Sequence, residues 1–391
     1  MESKRVEPRT LPGFMELLPE KQIKFNKIKE VIQRNYEKYG YLPIDTPVIE
    51  LSEVLLAKAG GETEKQIYSF DKGDKNLSLR FDLTVPFAKY VSMNYGNLSF
   101  PFKKYQIGKV YRGERSQRGR FREFYQCDID VIGDENLSLI YDAELPSIIY
   151  SIFKELNFGD FAININNRKI FKGLFEFLGL ANVSADALRI IDKIDKIGNE
   201  NVIEELSKLN IDDAKINKIM EIILLKGTNQ DKIDFLVNSN IDNETFKDGL
   251  QELTEVLNSI YMYGVPEENI EINLSIVRGL DYYTGTVYET FLNQYRELGS
   301  VCSGGRYDNL SSYYTDKKMP GVGISIGLTR LFFQLTDNKI IEAGNRSISK
   351  VMIVSMADDF SKSIEIATQL RNNGINTQIY TDNAKIKNQF K

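Results

Sequence analysis

The stretch YRGERSQRGRFREFYQCDID, Tyr111 to Asp130, concentrates residue types that do chemistry rather than fill a core. It reads as strand, basic loop, strand. Tyr105 to Gly113 alternates enough for a strand, Arg115 to Arg120 is too polar and basic for a core element, and Arg122 to Val131 is extended again. Side chains two apart in a strand share a face. Phe124, Gln126, Asp128 and Asp130 therefore line one face, and Arg112 and Glu114 share a face on the strand before. That places an aromatic ring, an amide, two carboxylates and an arginine together. A lone hairpin with solvated charged sides gives the same alternation. Here Tyr125, Cys127, Ile129 and Val131 supply a buried face opposite, which makes the polar face the floor of a site.

Further candidates lie before and after this hairpin. In Leu79-Arg80-Phe81-Asp82-Leu83-Thr84, read as a strand that leads into a helix from Val85, Asp82 and Thr84 point the same way. A buried Asp-x-Thr there is either a helix cap or a pair of acceptors for a substrate ammonium. Toward the C-terminus, RGLDYYTGTVYE (Arg278 to Glu289) follows a returning strand, and Gly304 to Asp308 reads as a tight glycine turn. GVGISI (Gly321 to Ile326) is a glycine-rich strand before a helix from Gly327 to Leu335 that carries Arg330 in its first turn. A helix N-terminus favours anions through its free N–H groups and dipole. An arginine there sharpens that preference through bidentate geometry.

Composition limits the chemistry. The chain has 391 residues, 42% hydrophobic and 27% charged, an ordinary globular balance long enough for two or three domains. Its net charge of −5 argues against a broadly basic nucleic-acid surface but not against local patches. No histidine is present, which removes the commonest acid–base group near neutrality. The absence fits either compositional drift in a Lys-, Ile- and Asn-rich chain or an advantage to a protein whose own synthesis needs no histidine. With only Cys127 and Cys302, neither a disulfide framework nor a zinc site of the usual kind is expected, whereas oxygen-ligated Mg²⁺ stays open. No apolar run long enough to span a membrane and no secretory leader is evident, so a cytoplasmic protein is expected.

The elements that position these residues follow in order. A helix from Lys21 to Tyr39 buries Phe25, Ile28, Val31, Ile32, Tyr36 and Tyr39 at three- and four-residue spacing. The proline-interrupted GYLPIDTPVIE reads as an edge strand or a subunit interface. A polar hairpin runs from Glu62 to Arg80, and a long helix from Leu137 to Leu156 contains Pro146 as a kink or break. Phe161 to Asn166 is a strand and Arg168 to Leu178 a helix. Ser184 to about Leu257 turns Lys/Asp/Glu/Asn-rich with helical periodicity, an inserted all-helical piece. After a linker at Ile341 to Lys350 come a strand (Val351 to Ser355), a helix (Asp358 to Asn373), a strand (Ile375 to Tyr380) and the start of a helix at Asn383, with the two strands expected parallel. Four segments result: residues 1–183 and 263–340 as two parts of one core, 184–262 as the insertion, and 350–391 as a partial α/β piece. The fold class is α+β, an antiparallel sheet flanked by helices.

These motifs, in this order, closely resemble the histidyl-tRNA synthetase family of class II aminoacyl-tRNA synthetases. The helix with GYLPIDTP resembles motif 1, the dimer-forming segment. YRGE with Phe124 and Asp128 resembles motif 2, and GVGISIGLTRL with Arg330 resembles motif 3. RGLDYYTG (Arg278 to Gly285) and SGGRYD (Ser303 to Asp308) are the stretches specific to histidine, and LRFDLT and REFYQCDIDVIG match closely too.

The resemblance implies ATP-dependent activation of L-histidine with release of pyrophosphate, then transfer to tRNA(His), by a homodimer with Mg²⁺ accompanying ATP. It implies that Arg112 and Arg330 hold ATP, that Arg278 sits at the substrate carboxylate and α-phosphate, that Phe124 stacks on adenine and that Glu114 lies near it. Asp82, Thr84 and Gln126 match ammonium-binding positions. Asp130 would accept an imidazole N–H, Tyr283 would serve the other side of that ring, and Tyr282 would line its pocket. The second step would use substrate-assisted proton transfer by phosphate, there being no histidine base. Two rivals share the fold: the noncatalytic regulatory subunit of ATP phosphoribosyltransferase, and a synthetase stripped of activity and kept as a binding protein. The intact Arg112, Arg278 and Arg330 disfavour the former, since a histidine sensor need not hold ATP. The match ends after the first β-α-β unit of the family's anticodon-binding domain, from which weaker tRNA charging is expected.

Overall fold

The hairpin read as the floor of a site is the middle of a large sheet. In the computed structural model, residues 6–57, 64–114, 119–277, 283–308, 310–342, 346–355 and 359–381 are described, those at 195 by backbone alone. Their strands are β1 (Leu42–Pro43), β2 (Ile49–Leu51), β3 (Ser69–Lys72), β4 (Lys75–Leu79), β5 (Phe102–Tyr111), β6 (Glu123–Ile132), β7 (Phe161–Asn167), β8 (Ile270–Ile272), β9 (Thr286–Leu292), β10 (Cys302–Tyr307), β11 (Gly321–Ile326), β12 (Val351–Val354) and β13 (Thr377–Tyr380). The main sheet has eight strands in the order β1-β5-β6-β11-β10-β9-β7-β8. Its six inner strands pair antiparallel, and short parallel strands close each edge. This is an α+β architecture of antiparallel-rich sheet and flanking helices.

Alternation along β6 decides which side is core. Cys127, Ile129 and Val131 have no exposed surface. Helix Pro19–Lys38 contributes buried Ile32 and Tyr36, and the Tyr36 hydroxyl donates to the Cys127 carbonyl at 2.9 Å. The 430 Å³ cavity described below opens beside the face carrying Phe124 and Gln126.

The structure corrects three local expectations. Leu79 to Thr84 is not a strand: β4 ends at Leu79 and a helix starts at Thr84, with the Val85 N–H donating to Asp82 Oδ1 at 2.9 Å. The Arg80 backbone is still paired, its N–H with the Val48 carbonyl and its carbonyl with the Tyr111 N–H, while its buried guanidinium reaches the carbonyls of Lys109 (2.8 Å) and Thr46 (2.5 Å). Of Gly304 to Asp308, read as a turn, Gly304 to Tyr307 lie instead in the interior strand β10. Its glycines serve close approach rather than chain reversal: a Cβ on Gly305 would lie 2.8 Å from the Tyr283 ring. Pro146 does not break the helix, which runs Ile140–Leu156. Proline lacks the N–H that would bond four residues back. The carbonyl so released, that of Asp142, accepts from the Tyr288 hydroxyl at 2.7 Å.

Residues 184–262 are helical, from Ser184–Ile191 through Asp213–Ile223 to Glu244–Met262. Chain contacts divide the molecule into two compact units, Met1–Met15 with Lys29–Ile340, and Glu16–Ile28 with Ile341–Lys391. In the second, β12 and β13 pair in parallel across helix Ser361–Asn372, as expected for β-α-β. The helix anticipated from Asn383 lies outside the described residues.

Candidate active site

Register builds the site. Paired residues on neighbouring strands project to the same side of a sheet. Lys104 on β5, Asp130 on β6 and Gly323 on β11 form one row. The next row runs Gln106, Asp128, Ser325, Ser303 and Glu289 across β5, β6, β11, β10 and β9. An entire row of polar side chains across five strands is expensive to desolvate; Ser325, Ser303 and Glu289 of this row line a cavity, and Asp128 lines a cleft beside it.

That cavity measures ≈ 430 Å³ and is lined by Arg112, Glu114, Phe124, Gln126, Tyr283 and Arg330 among others. A small cleft of ≈ 30 Å³ shares Tyr283, Ser303 and Ser325 with it and adds Thr84, Asp128, Asp130 and Tyr307. Arg112 lies over the rings of Phe81 and Phe124, 4.4 and 5.0 Å from their centres. Burial draws its pKa below the usual arginine value, against the opposing fields of Asp82 and Glu114. Arg330, in the first turn of helix Leu328–Asp337, donates to the Leu298 carbonyl. The neighbouring Thr329 hydroxyl accepts the Tyr125 N–H at 2.8 Å, which ties this helix to β6.

At the cleft end, Asp130 is held from two sides. Its Oδ2 lies 2.6 Å from Lys104 Nζ, and its Oδ1 accepts the Tyr307 hydroxyl at 2.9 Å. Gly323 supplies the room, since a Cβ there would stand 2.0 Å from Asp130 Oδ1. Asp128 bonds the Ser325 hydroxyl, and Ser325 Oγ in turn receives Gln126 Nε2 at 2.9 Å. Burial, with the charge of Asp130, pushes the Asp128 carboxyl up to about 7 against the pull of Lys104. Burial likewise raises the Tyr283 hydroxyl, with Asp130 and Asp128 adding to it.

The cavity is therefore chemically polarised. The Arg112–Arg330 end suits an anion with a flat ring system. The Gln126–Asp128–Asp130 end suits a cation and a ring N–H. Of the sequence candidates, Arg112, Glu114, Phe124, Gln126, Tyr283 and Arg330 line the cavity, and Thr84 and Asp130 line the cleft. Asp82 stands at the start of helix Thr84–Asn94, where Oδ1 does the capping. Arg278 and Tyr282 lie outside the described residues.

Sequence reasoning passed over Lys104, Tyr307, Ser325, Ser303 and Glu289. Only strand pairing reveals them. Ser325 is one serine in a glycine-rich strand until register sets it opposite Asp128, and Lys104 follows Lys103 early in β5 as any solvated lysine might. The one visible signal was Glu289, a carboxylate in the run TVYETFL, which is otherwise built for burial. Arg306 of SGGRYD does not serve the cavity as a cation for a ligand. It forms a bidentate pair with buried Asp142, Nε to Oδ1 at 3.0 Å and Nη2 to Oδ2 at 2.5 Å.

Comparison with known proteins gives a consistent set of relatives. The sequence model of the family described as histidyl-tRNA synthetase matches residues 13–331. The histidine–tRNA ligase of Clostridium tetani is 56% identical over 386 residues, which is 98% of this chain and 88% of that protein. The histidine–tRNA ligase of Finegoldia magna is 50% identical over 385 residues, 98% of this chain and 89% of the relative. The crystal structure of histidyl-tRNA synthetase from Nostoc sp. PCC 7120 superposes with a TM-score of 0.92 at 40% identity, over 99% of this chain and 89% of that one. A Bacillus halodurans structure described as an ATP phosphoribosyltransferase regulatory subunit/histidyl-tRNA synthetase superposes at 0.82 over 98% of this chain and 96% of its own, but at 23% identity this is a likeness of fold alone.

Proposed function

The chain belongs to the histidyl-tRNA synthetase family, and from that premise we propose how its site works. It is a histidine–tRNA ligase. It activates L-histidine with ATP to histidyl-adenylate, releasing pyrophosphate, and transfers the histidyl group to the 3′ end of tRNA(His).

The observation that carries our assignment of roles is the polarity of the cavity. A zwitterionic amino acid carries an ammonium and a ring N–H at one end and a carboxylate at the other, and the carboxylate must meet a nucleotide. We therefore place histidine with its ring toward Asp130 and Tyr283, with Tyr282 lining that pocket and its ammonium toward Thr84, Gln126 and Asp82. ATP lies toward Arg112 and Arg330, its adenine on Phe124 with Glu114 nearby. A histidine carboxylate oxygen attacks the α-phosphorus, an O–P bond forms, and the bond from that phosphorus to pyrophosphate breaks. Negative charge grows on the phosphate oxygens, which fixed cations stabilise without reorganising. Arg112, Arg278 and Arg330 are those cations.

Mg²⁺ is read as arriving with ATP. Among the described residues no group of three or more Cys, Asp or Glu side chains gathers to hold a metal. Glu289 and Glu114 on the cavity wall fit an ion carried mainly by phosphates with one or two protein carboxylates. When bound, it neutralises phosphate charge.

We read the protein as a cytoplasmic homodimer, and no described helix is long and apolar enough to cross a membrane. Leu42, within the stretch that resembles motif 1, and Val48, Ile49 and Leu51 just after it are exposed apolar residues, which supports self-association there. Residues 1–183 and 263–340 are taken as the catalytic core, 184–262 as its helical insertion and 350–391 as anticodon-domain-like.

Histidine-dependent pyrophosphate exchange tests this placement. Arg278→Ala should reduce exchange by at least about a hundredfold in a folded protein, the scale of losing one charge-stabilising donor. Near-parental exchange in that variant would remove Arg278 from the mechanism.

A further inference from the structure

The amide of Gln126 has two ends that differ in chemistry, and something must decide which one faces the substrate. Its Nε2 lies 2.9 Å from Ser325 Oγ, and its Oε1 is buried without a hydrogen-bond partner among the described residues. Ser325 Oγ also bonds Asp128 Oδ1. A hydroxyl has one proton, and an ionised carboxylate is an acceptor only. With Asp128 ionised, the Ser325 proton therefore goes to Asp128. What remains on Oγ is lone-pair capacity, so Gln126 must present its NH₂ to Ser325. The amide oxygen is then turned away from Ser325, on a side chain that lines the cavity.

We propose that Asp128 and Ser325 form a positioning relay that fixes the Gln126 amide with its oxygen toward the substrate's ammonium. Neither residue touches the substrate in this arrangement; both act through Gln126. Without the relay the amide is free to turn, and its other face offers N–H donors to a cation. The buried Oε1 is the second, independent sign. A buried acceptor left unmatched costs free energy, and the ammonium is what matches it.

The register makes the relay rigid. Ser325 is the direct cross-strand partner of Asp128 on the β6–β11 pair, and Gln126 stands one step along the same face. Two neighbouring strands thus hold all three groups, with no loop between them. The cations and acids facing Asp128 are Lys104 on β5, Asp130 on its own strand and Asp82 ahead of helix Thr84–Asn94.

The inference rests on the reading that Gln126 receives the ammonium, and two ligands separate the two ideas. The first is L-histidine; the second is imidazolepropionate, the same molecule without its α-ammonium. Equilibrium binding of each is measured on the full chain. Ser325→Ala should weaken histidine roughly tenfold, the scale of a hydrogen bond to a charged group, and leave imidazolepropionate within about twofold. Equal weakening of both ligands would make Ser325 a packing residue and overturn the relay. If Gln126→Ala itself weakens both ligands equally, the ammonium reading fails first and the relay with it.

A second arm holds if one variant folds poorly. A carboxylate at position 126 has acceptor oxygens on both sides and needs no orienting. In a Gln126→Glu background, Ser325→Ala should therefore add less than about twofold to the histidine loss. A full tenfold in that background as well would overturn the proposal.

Discussion

Lys104 Nζ stands 2.6 Å from Asp130 Oδ2, with the lysine side chain fully buried and the aspartate nearly so. The ammonium also lies 4.6 Å from the centre of the Phe87 ring. A charged pair in such a place is retained only if each partner answers the other, because either alone would be an uncompensated buried charge. In the proposed placement Asp130 would meet the imidazole with one oxygen held by Lys104 and the other by Tyr307. An acceptor of that kind can take a ring N–H without moving.

Removing the back-side charge should be costly. Lys104→Met is expected to destabilise the chain by about 3–5 kcal/mol, the range for breaking one side of a buried pair. Adding Asp130→Asn should give part of this back, since the stranded carboxylate is then gone. Urea unfolding of both single variants and the double variant measures the coupling. Additive losses would mean the two groups are neighbours without an energetic bond.

Arg112 serves through shape as well as charge. Its guanidinium lies over Phe81 and Phe124 at 4.4 and 5.0 Å. Lysine keeps the charge but has no planar group to stack or to fork around a phosphate. Arg112→Lys should therefore lose pyrophosphate exchange nearly as fully as Arg112→Ala, both by about a hundredfold or more. Recovery of most activity by lysine would show that charge alone suffices.

The Asp128 carboxyl gives a pH signature. Its folded pKa, pushed up to about 7, lies above that of an exposed carboxylate. The folded chain thus holds this proton more tightly than the unfolded one. Its contribution to stability is full below the ordinary carboxylate range and is lost as pH rises through about 7. Asp128→Asn should remove that slope, gaining on the parent as pH rises from about 4 to 7. Histidine binding favours the ionised form, because an ammonium arrives at the other end of the relay. Calorimetry near pH 7 in buffers of different ionisation enthalpy should show protons released by the parent in excess of Asp128→Asn. Identical release by both would detach Asp128 from the ligand.

Much of this was legible in the sequence for a physical reason. Strand alternation has period two, so Phe124, Gln126, Asp128 and Asp130 declare a shared face without any knowledge of pairing. The β-α-β piece and the helical insertion likewise announce themselves by period. What alternation cannot give is register between strands distant in the chain. Ser325 and Asp128 are far apart in sequence, and nothing local says that they are opposite. Glycine misled for a related reason. Gly304-Gly305 has the composition of a turn, yet both residues lie within β10, where missing side chains let a ring and a neighbouring strand come close. The run from Leu79 to Thr84 misled because pairing continues only to Arg80, whose backbone bonds Val48 and Tyr111, after which Asp82 caps the helix from Thr84.

Gly323 offers the sharpest single-atom test of the cleft. A Cβ at this position would stand 2.0 Å from Asp130 Oδ1 and 2.7 Å from its Cγ. Real side chains do not approach so closely, so one group must yield. The backbone of Gly323 is held inside the sheet, paired opposite Asp130 on one side and Gly305 on the other. The carboxylate is the part that can move, and moving it breaks its contacts with Lys104 and Tyr307. Gly323→Ala should therefore cost about 1–3 kcal/mol of stability, as overpacking does, and weaken histidine at least roughly tenfold while ATP affinity stays within about twofold. Gly96→Ala is the control, because a Cβ there meets nothing within 4 Å. The cause is checked in an Asp130→Ala background, where the two shortest contacts are gone and only the Ile129 carbonyl at 3.1 Å stays close. There Gly323→Ala should add little further loss of histidine binding. An equal loss with and without the Asp130 carboxylate would mean that the added methyl acts on the sheet itself, and that the glycine is not there to seat Asp130.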